Sequence, residues 1–402
     1  MINNMKKELE LYLHIPFCVK KCAYCDFLSA PADEDARQEY VDALLCEIQR
    51  YEEAYHEPYQ VTTIFLGGGT PSMLTGDQVT AIFAALHQSF RISENAEVTI
   101  EANPGTVTKE KLKAWKAAGI NRLSIGLQSA DNEELKMLGR IHTWEEFLAT
   151  YDLARKQGFD NINIDLISAI PGQTEASWKK TLTKAASLDP EHISAYSLII
   201  EEGTPFYERY GENAGQGLPE GHAADNTSDS IAPQLPDEDA ERTIYEMTAE
   251  ILLEYGYQRY EISNYAKEGY ACRHNLGYWE RKEYLGIGLG ASSLIGRSRY
   301  HNTGDIRSYI QKVQDQTDIK EDVEHLSLRD EIEEFMFLGL RETKGISISG
   351  FEELYRQSIF DVYGTQIRKL MDGGLLEMSG DRIRLTERGI DVSNLVFLEF
   401  MG

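Results

Sequence analysis

Through the first half of the chain, short apolar runs of strand character alternate with longer stretches whose apolar residues recur every three or four positions. Residues 9–15 (LELYLHI), 61–66 (VTTIFL), 97–102 (EVTIEA), 121–127 (NRLSIGL), 161–167 (NINIDLI) and 192–199 (HISAYSLI) read as strands. Residues 33–54, 77–89, 108–118, 131–138, 143–157 and 175–187 read as the helices between them, with Thr108 as a helix cap. Six β-then-α units predict a parallel sheet wrapped by helices. Right-handed crossovers curl such a sheet into a partial (β/α)6 barrel of the TIM-like type, with functional groups at the carboxyl ends of the strands.

Residues 201–240 break the rhythm with frequent Gly, Pro, Asn, Asp and Ser, and are expected to be a long polar loop or insertion over the barrel mouth. A helix over 237–255 and sheet pieces at 257–262, 284–294 and 299–302 follow. From residue 326 the pattern becomes helical (LSLRDEIEEFMFLGLR, FEELYRQ, TQIRKLMDGGLLE) and closes on a hairpin-like GDRIRLTERG, an arrangement similar to a winged helix. The expected organisation is therefore a barrel core over 1–200, the loop over 201–240, a barrel-associated α/β extension over 241–325, and a small C-terminal helical, winged-helix-like domain over 326–402.

Charge narrows the partners. The formal net charge is −26, which repels phosphate backbones and argues against nucleic acid, so the C-terminal module reads as a docking or dimerisation element. Membrane contact would be transient and through a local basic patch. The start, MINNMKKELE, lacks the apolar core of a signal peptide, and no run of about 18 apolar residues is present. The expected compartment is the cytoplasm, where the 5 cysteines stay reduced.

Three of those cysteines, Cys18, Cys22 and Cys25, follow the first strand in the stretch LYLHIPFCVKKCAYCDF, spaced C-x3-C-x2-C. Thiolates in this density suit an iron–sulfur cluster or zinc. A zinc site usually adds a second Cys or His pair, and none is near in sequence. A cubane cluster normally takes four cysteines, so three would leave one iron open. Downstream, Gly67-Gly68-Gly69-Thr70-Pro71 follows the second strand without the GK[ST] of a phosphate loop. Glu101 ends the third strand, Gln128 the fourth, and Asp165 lies in the fifth. Polar groups in strands this apolar must face a polar site or pair with one another. Arg140, in KMLGRIH, is suited to bidentate carboxylate binding. In CRHNLGYW, His274 and Tyr278 are four apart and share a face if the piece is helical.

Together these motifs resemble the radical S-adenosylmethionine superfamily, and within it the oxygen-independent coproporphyrinogen III oxidase-like family and its haem-chaperone branch. The matching stretches are LYLHIPFCVKKCAYCDF, FLGGGTPS, IEANPG, RLSIGLQS, LGRIH, NIDLISAIPGQT, RHNLGYW and YLGIGLGA. The resemblance implies that Cys18, Cys22 and Cys25 hold a [4Fe–4S] cluster. It implies that Tyr12, Gly69, Thr70, Glu101, Gln128, Arg140 and Asp165 line an S-adenosylmethionine pocket, with Tyr24 stacking beside the cofactor. The H-N-x-x-Y-W motif (His274, Asn275, Tyr278, Trp279) would bind haem, with His274 as the axial ligand. The implied function is to bind haem and pass it to apo-haemoproteins, in a chain that could work as a homodimer. The alternative is oxidative decarboxylation of coproporphyrinogen III. Two departures favour the chaperone: ten residues precede Leu11 where the oxidase has an extended arm, and Phe27 stands where the oxidase has a further cysteine.

Overall fold

Alternation within each strand decides which side chains meet the helices. In β1 (Lys7–Ile15), Leu9, Leu11, Leu13 and Ile15 are fully buried in one core with Tyr40, Leu44 and Ile48 of the helix Glu34–Arg50. Glu10, Tyr12 and His14 take the opposite face. The same division runs through β3 (Ile92–Ala102), β4 (Arg122–Gln128), β5 (Ile162–Ser168) and β6 (His192–Ser197). Their outward residues join the apolar core. The inward face keeps Thr99, Ser124, Asn163 and Ser194, all buried.

The strand between, β2 (Tyr59–Gly68), departs from strict alternation. Val61 and Ile64, three apart, both enter the core because the pairing with β1 steps from Leu9–Val61 to Glu10–Thr63 and leaves Thr62 as an extra residue in β2. This is a β-bulge at Thr62, and it returns Phe65 and Gly67 to the inward face.

The computed structural model describes residues 6–211 and 233–402. Among them, strands β1 to β6 run parallel in sequence order, as the alternating pattern predicts. The sheet is extended at both ends. β7 (Gln258–Arg259) and β8 (Asn264–Ala266) add antiparallel beyond β6. On the other side β9 (Tyr284–Ile287) pairs parallel with β1, and β10 (Ser292–Ile295), β11 (Ser298–Asn302) and β12 (Lys320–His325) follow antiparallel. β1 and β6 thus each take another partner instead of closing on one another, which leaves a partial barrel. A single cavity touches the ends of β2 through β6, so the sheet curls around it.

Beyond residue 326 a second core gathers Met336, Phe351, Ile367 and Val396 with Ile383 of a three-stranded sheet. Its strands are β13 (Ile346–Ser347), β14 (Leu376–Ser379) and β15 (Arg382–Leu385) in the order β13-β15-β14, the expected helices-plus-hairpin arrangement. One expectation needs correction and another gains detail. The 201–240 stretch is not loop throughout: Thr204 caps a short helix, Pro205–Tyr210, while 212–232 lies outside the described residues. The sheet expected over 284–294 is present as two strands, because the chain turns between them through Gly288 and Gly290, both at positive φ.

Candidate cofactor site at the carboxyl ends of the strands

After β1 the chain turns back on itself. Phe17 bridges to Ala30, the Cys18 N–H donates to the Ala30 carbonyl (3.2 Å), and the Ala30 N–H donates to that of Pro16 (3.0 Å). The loop so closed is tied at its far side through Ala23. Its N–H donates to the Leu138 carbonyl (3.1 Å) and its own carbonyl accepts from the Phe206 N–H (3.0 Å). Cys18, Cys22 and Cys25 are free, half-buried, and line one cavity of about 490 Å³.

The glycine-rich end of β2 forms the adjoining wall. The Gly69 N–H donates to the Ile15 carbonyl (2.9 Å), and a Cβ on Gly69 would stand 2.8–3.0 Å from backbone atoms of Phe17 and Ile15. Only glycine lets the two segments approach this closely. Thr70 Oγ1 lies 3.4 Å from Cys18 Sγ and accepts from Asn103 Nδ2 (2.8 Å). Asn103 Oδ1 accepts from Arg140 Nη2 (2.6 Å), which also donates to the Gly126 carbonyl (3.0 Å). Arg140 Nη1 reaches Cys22 Sγ at 3.6 Å. A continuous polar chain therefore runs from Cys18 through Thr70, Asn103 and Arg140 to Cys22. Asn103 was legible in the sequence only as part of a turn after the third strand; the signal that could have marked it is the Asn placed at the strand end in IEANPG.

Two carboxyl groups form the floor. Glu101 accepts from the Gly68 N–H (3.2 Å), and burial, followed by the neighbouring Asp165, pushes it up to about 8. Asp165 accepts from Ser124 Oγ and Asn163 Nδ2, each at 2.8 Å, and is raised mainly by burial. Gln128 ends β4 at φ 70°, a left-handed conformation that costs a non-glycine residue about 1–3 kcal/mol and concentrates at functional sites. Tyr24 lines the same cavity; burial raises its hydroxyl while Arg140 beside it opposes the rise. Burial also pushes the Cys25 thiol up to about 11.

The structure thus gathers Cys18, Cys22, Cys25, Tyr24, Gly69, Thr70, Glu101, Gln128, Arg140 and Asp165 around one cavity. Five predicted residues stand elsewhere. Tyr12 lies a layer below, its ring stacked on Phe65 (6.4 Å, 24°) and its hydroxyl 3.1 Å from His14 Nδ1. His274, Asn275, Tyr278 and Trp279 lie on the helix Arg273–Trp279, and none of them lines the cavity. His274 is 1% exposed; Nδ1 bonds Thr63 Oγ1 (2.7 Å) and Nε2 bonds the Tyr278 hydroxyl (3.0 Å). Both ring nitrogens are engaged, and burial holds the imidazole neutral, its pKa lowered to about 3. Ligation of haem through Nε2 would first require its bond to the Tyr278 hydroxyl to break. Trp279 lies under the Arg341 guanidinium (4.5 Å to the ring centroid).

The donor set at the cavity fits a cluster with a bound sulfonium amino acid. Three soft sulfurs stand on one wall with a hydroxyl and a guanidinium beside two of them, and buried carboxyl groups and a guanidinium can receive ammonium, hydroxyl and carboxylate groups. Among the described residues no three His, Cys, Asp or Glu side chains converge tightly enough for a single metal ion. A mononuclear zinc site gathers its thiolates within about 2.3 Å of one point, whereas a cubane takes one thiolate at each of several corners.

Over 397 residues the chain is 36% identical to the heme chaperone HemW of Lactococcus lactis subsp. lactis (strain IL1403), covering 99% of this chain and 98% of that protein. It is 35% identical over 392 residues to the heme chaperone HemW of Bacillus subtilis (strain 168), covering 97% and 98%. The chain belongs to the HemW family. Within this HemW-family chain, residues 12–185 match the Radical SAM superfamily and residues 326–392 match the HemN C-terminal domain. The radical SAM match implies a [4Fe–4S] cluster and S-adenosylmethionine. Among solved structures, coproporphyrinogen III oxidase (HemN) from Escherichia coli superposes with a TM-score of 0.81 at 25% identity, covering 98% of this chain and 90% of that one. The HemW-family chain therefore shares the fold of a radical SAM enzyme along nearly its whole length.

Proposed function

We propose that this HemW-family protein is a haem chaperone, which binds haem and passes it to apo-haemoproteins in the cytoplasm. The observation that carries the reading is likeness along the whole chain: 36% identity over 99% of it to a protein named a heme chaperone, against 25% to the coproporphyrinogen III oxidase. Phe27, exposed at the cavity rim, supports the same side of the choice. Among the described residues no helix is long and apolar enough to cross a membrane. The division at 1–200, 201–240, 241–325 and 326–402, and pairing of two copies, belong to the same proposal.

In this reading Cys18, Cys22 and Cys25 hold the cluster, and the other cavity residues hold S-adenosylmethionine. When bound, that pair supplies one-electron chemistry at the sulfonium. The chain's own part is to bind and orient: Arg140 faces a carboxylate, Glu101 and Asp165 face cationic or hydroxyl groups, and Gly69 keeps the two backbone segments close. The test is anaerobic reconstitution with iron and sulfide, haem titration followed at the Soret band, and presentation of the loaded protein to apomyoglobin. A saturable Soret band and its transfer to apomyoglobin are expected. Absence of either, or formation of protoporphyrinogen from coproporphyrinogen III by the same preparation, overturns the chaperone reading, and the second result installs the oxidase in its place.

A further inference from the structure

The Arg273–Trp279 helix sits against the inward face of the sheet one to two layers beneath the cavity, and two of its side chains meet the bulge in β2. Arg273 Nη2 donates to the carbonyl of Thr62, the bulged residue (3.2 Å). His274 Nδ1 bonds the hydroxyl of Thr63, the first residue after the slip (2.7 Å). Register matters here because a one-residue slip of β2 would turn Phe65 and Gly67 to the opposite face and displace Gly69 and Thr70. The helix also grips β3. Glu97 Oε1 accepts from the His274 N–H (3.1 Å) and Oε2 from the Arg273 N–H (3.1 Å), four residues before Glu101 and on the same face of that strand.

A second line of contact rises from the same histidine. His274 stacks on Phe65 (5.2 Å, 22°), and Phe65 stacks on Tyr12 (6.4 Å, 24°). Both rings end under Gly67, where an added Cβ would lie 3.0 Å from Phe65 Cε1, 3.1 Å from Tyr12 Cε2 and 3.2 Å from Glu101 Oε2. The ring column therefore reaches the carboxyl group whose described hydrogen bond is the one from Gly68.

We infer that His274 is a positioning residue for the S-adenosylmethionine site: with Arg273 it locks the β2 bulge and, through Phe65, sets where the glycine-rich loop and Glu101 stand. The inference rests on the reading of the cavity as that site, but not on the haem reading. The test uses full-length protein reconstituted anaerobically, with the cluster reduced and the EPR signal followed as S-adenosylmethionine is added. His274→Ala is expected to keep its iron content and to shift its EPR spectrum only at S-adenosylmethionine concentrations about ten-fold higher, equivalent to about 1.4 kcal/mol. His274→Asn, which keeps a polar atom near Thr63 Oγ1, is expected to recover most of that loss. Thr63→Val removes the same hydrogen bond from the other side, and decides the matter if the alanine variant does not fold. Glu101→Gln is the control: if it leaves binding unchanged, the cavity reading fails and this inference with it. If Glu101→Gln weakens binding while His274→Ala and Thr63→Val match wild type, the positioning inference alone is overturned. Equal losses in His274→Ala and His274→Asn also overturn it, as does a loss of haem affinity in His274→Ala with S-adenosylmethionine binding intact.

Discussion

Glu10 is fully buried on the inward face of β1, and among the described residues neither of its oxygens finds a hydrogen bond of normal geometry; Nδ1 of the neutral His274 imidazole is 3.8 Å away. Burial, only partly offset by Lys282, pushes it from 4.5 to about 8. The raised value fixes the sign of the pH dependence. In the unfolded chain the group ionises near its ordinary value, whereas in the folded chain it stays protonated to about 8, so its contribution to stability is complete below about 4.5 and falls as pH rises towards 8. Glu10→Gln should therefore stabilise the protein relative to wild type by an amount that grows between those pH values, to about 5 kcal/mol, as followed by urea unfolding. A difference that stays flat with pH would show that the carboxyl is ionised throughout. Glu101 gives a second expectation by the same logic. If it is protonated before a cationic ligand arrives, S-adenosylmethionine binding should release close to one proton below pH 8. Calorimetry in buffers of different ionisation enthalpy measures that release, and none would be seen if the group were already ionised. At this scale the sequence showed a great deal, since Glu101, Gln128 and Asp165 betray themselves as polar residues in apolar strands. It hid Asn103 among turn residues. At His274 it showed that two side chains four apart share a face, which the Nε2 bond to Tyr278 bears out, but not what that face meets.

Elements were legible wherever one side of them is buried. The six parallel strands announced themselves by alternation and by the helical stretches between. β12 (KEDVEH) did not, because it is almost wholly exposed and carries no apolar face to read. β8 is three residues long, too short for any period to show. The bulge at Thr62 is a subtler case: VTTIFL reads as a strand, but nothing in it says that Val61 and Ile64 face the same way. That fact appears only when the pairing with β1 is seen to skip Thr62. The glycine-rich segment after β2 carries the element-scale prediction. At Gly69 the approach to Phe17 and Ile15 involves backbone on both sides, so neither side chain can move aside to admit a methyl group. Gly69→Ala should push the cysteine loop away from β2 and lower the iron retained per chain after reconstitution, while far-UV circular dichroism stays close to wild type. Full iron occupancy in the variant would show that the cysteine loop is held mainly by Ala23 at its other end.

At the scale of the molecule, the Arg273–Trp279 helix and the residues just after it face two ways. His274 and Tyr278 point into the barrel, while Trp279 lies beneath Arg341, whose guanidinium also approaches Phe397 (5.8 Å), both in the chain beyond residue 326. Two residues on, Arg281 Nε donates to Glu334 Oε2 (2.6 Å), and Arg299 of β11 reaches the other oxygen of the same carboxylate (2.7 Å). Glu334 is buried and sits on the helix Leu328–Gly339, so one side chain joins the C-terminal core to two separate elements of the barrel extension. In sequence this contact was invisible: EIEEFMFLG showed an amphipathic helix, and a glutamate there reads as its solvated face. The cost of removing it follows from what is left behind. Arg281 already has Nη2 buried with no hydrogen-bond partner among the described residues, and Glu334→Ala would strand the rest of its charge in the interface. Breaking a buried pair from one side costs about 3–5 kcal/mol, more than replacing both partners with apolar groups. Hydrogen exchange should show faster exchange across residues 326–402 in Glu334→Ala with little change in β1 to β6. A double change, Arg281→Met with Glu334→Leu, should recover much of the loss. If exchange in the C-terminal region is unaffected by Glu334→Ala, the module is held by Trp279, Arg341 and the apolar contacts around them, and the ion pair contributes little.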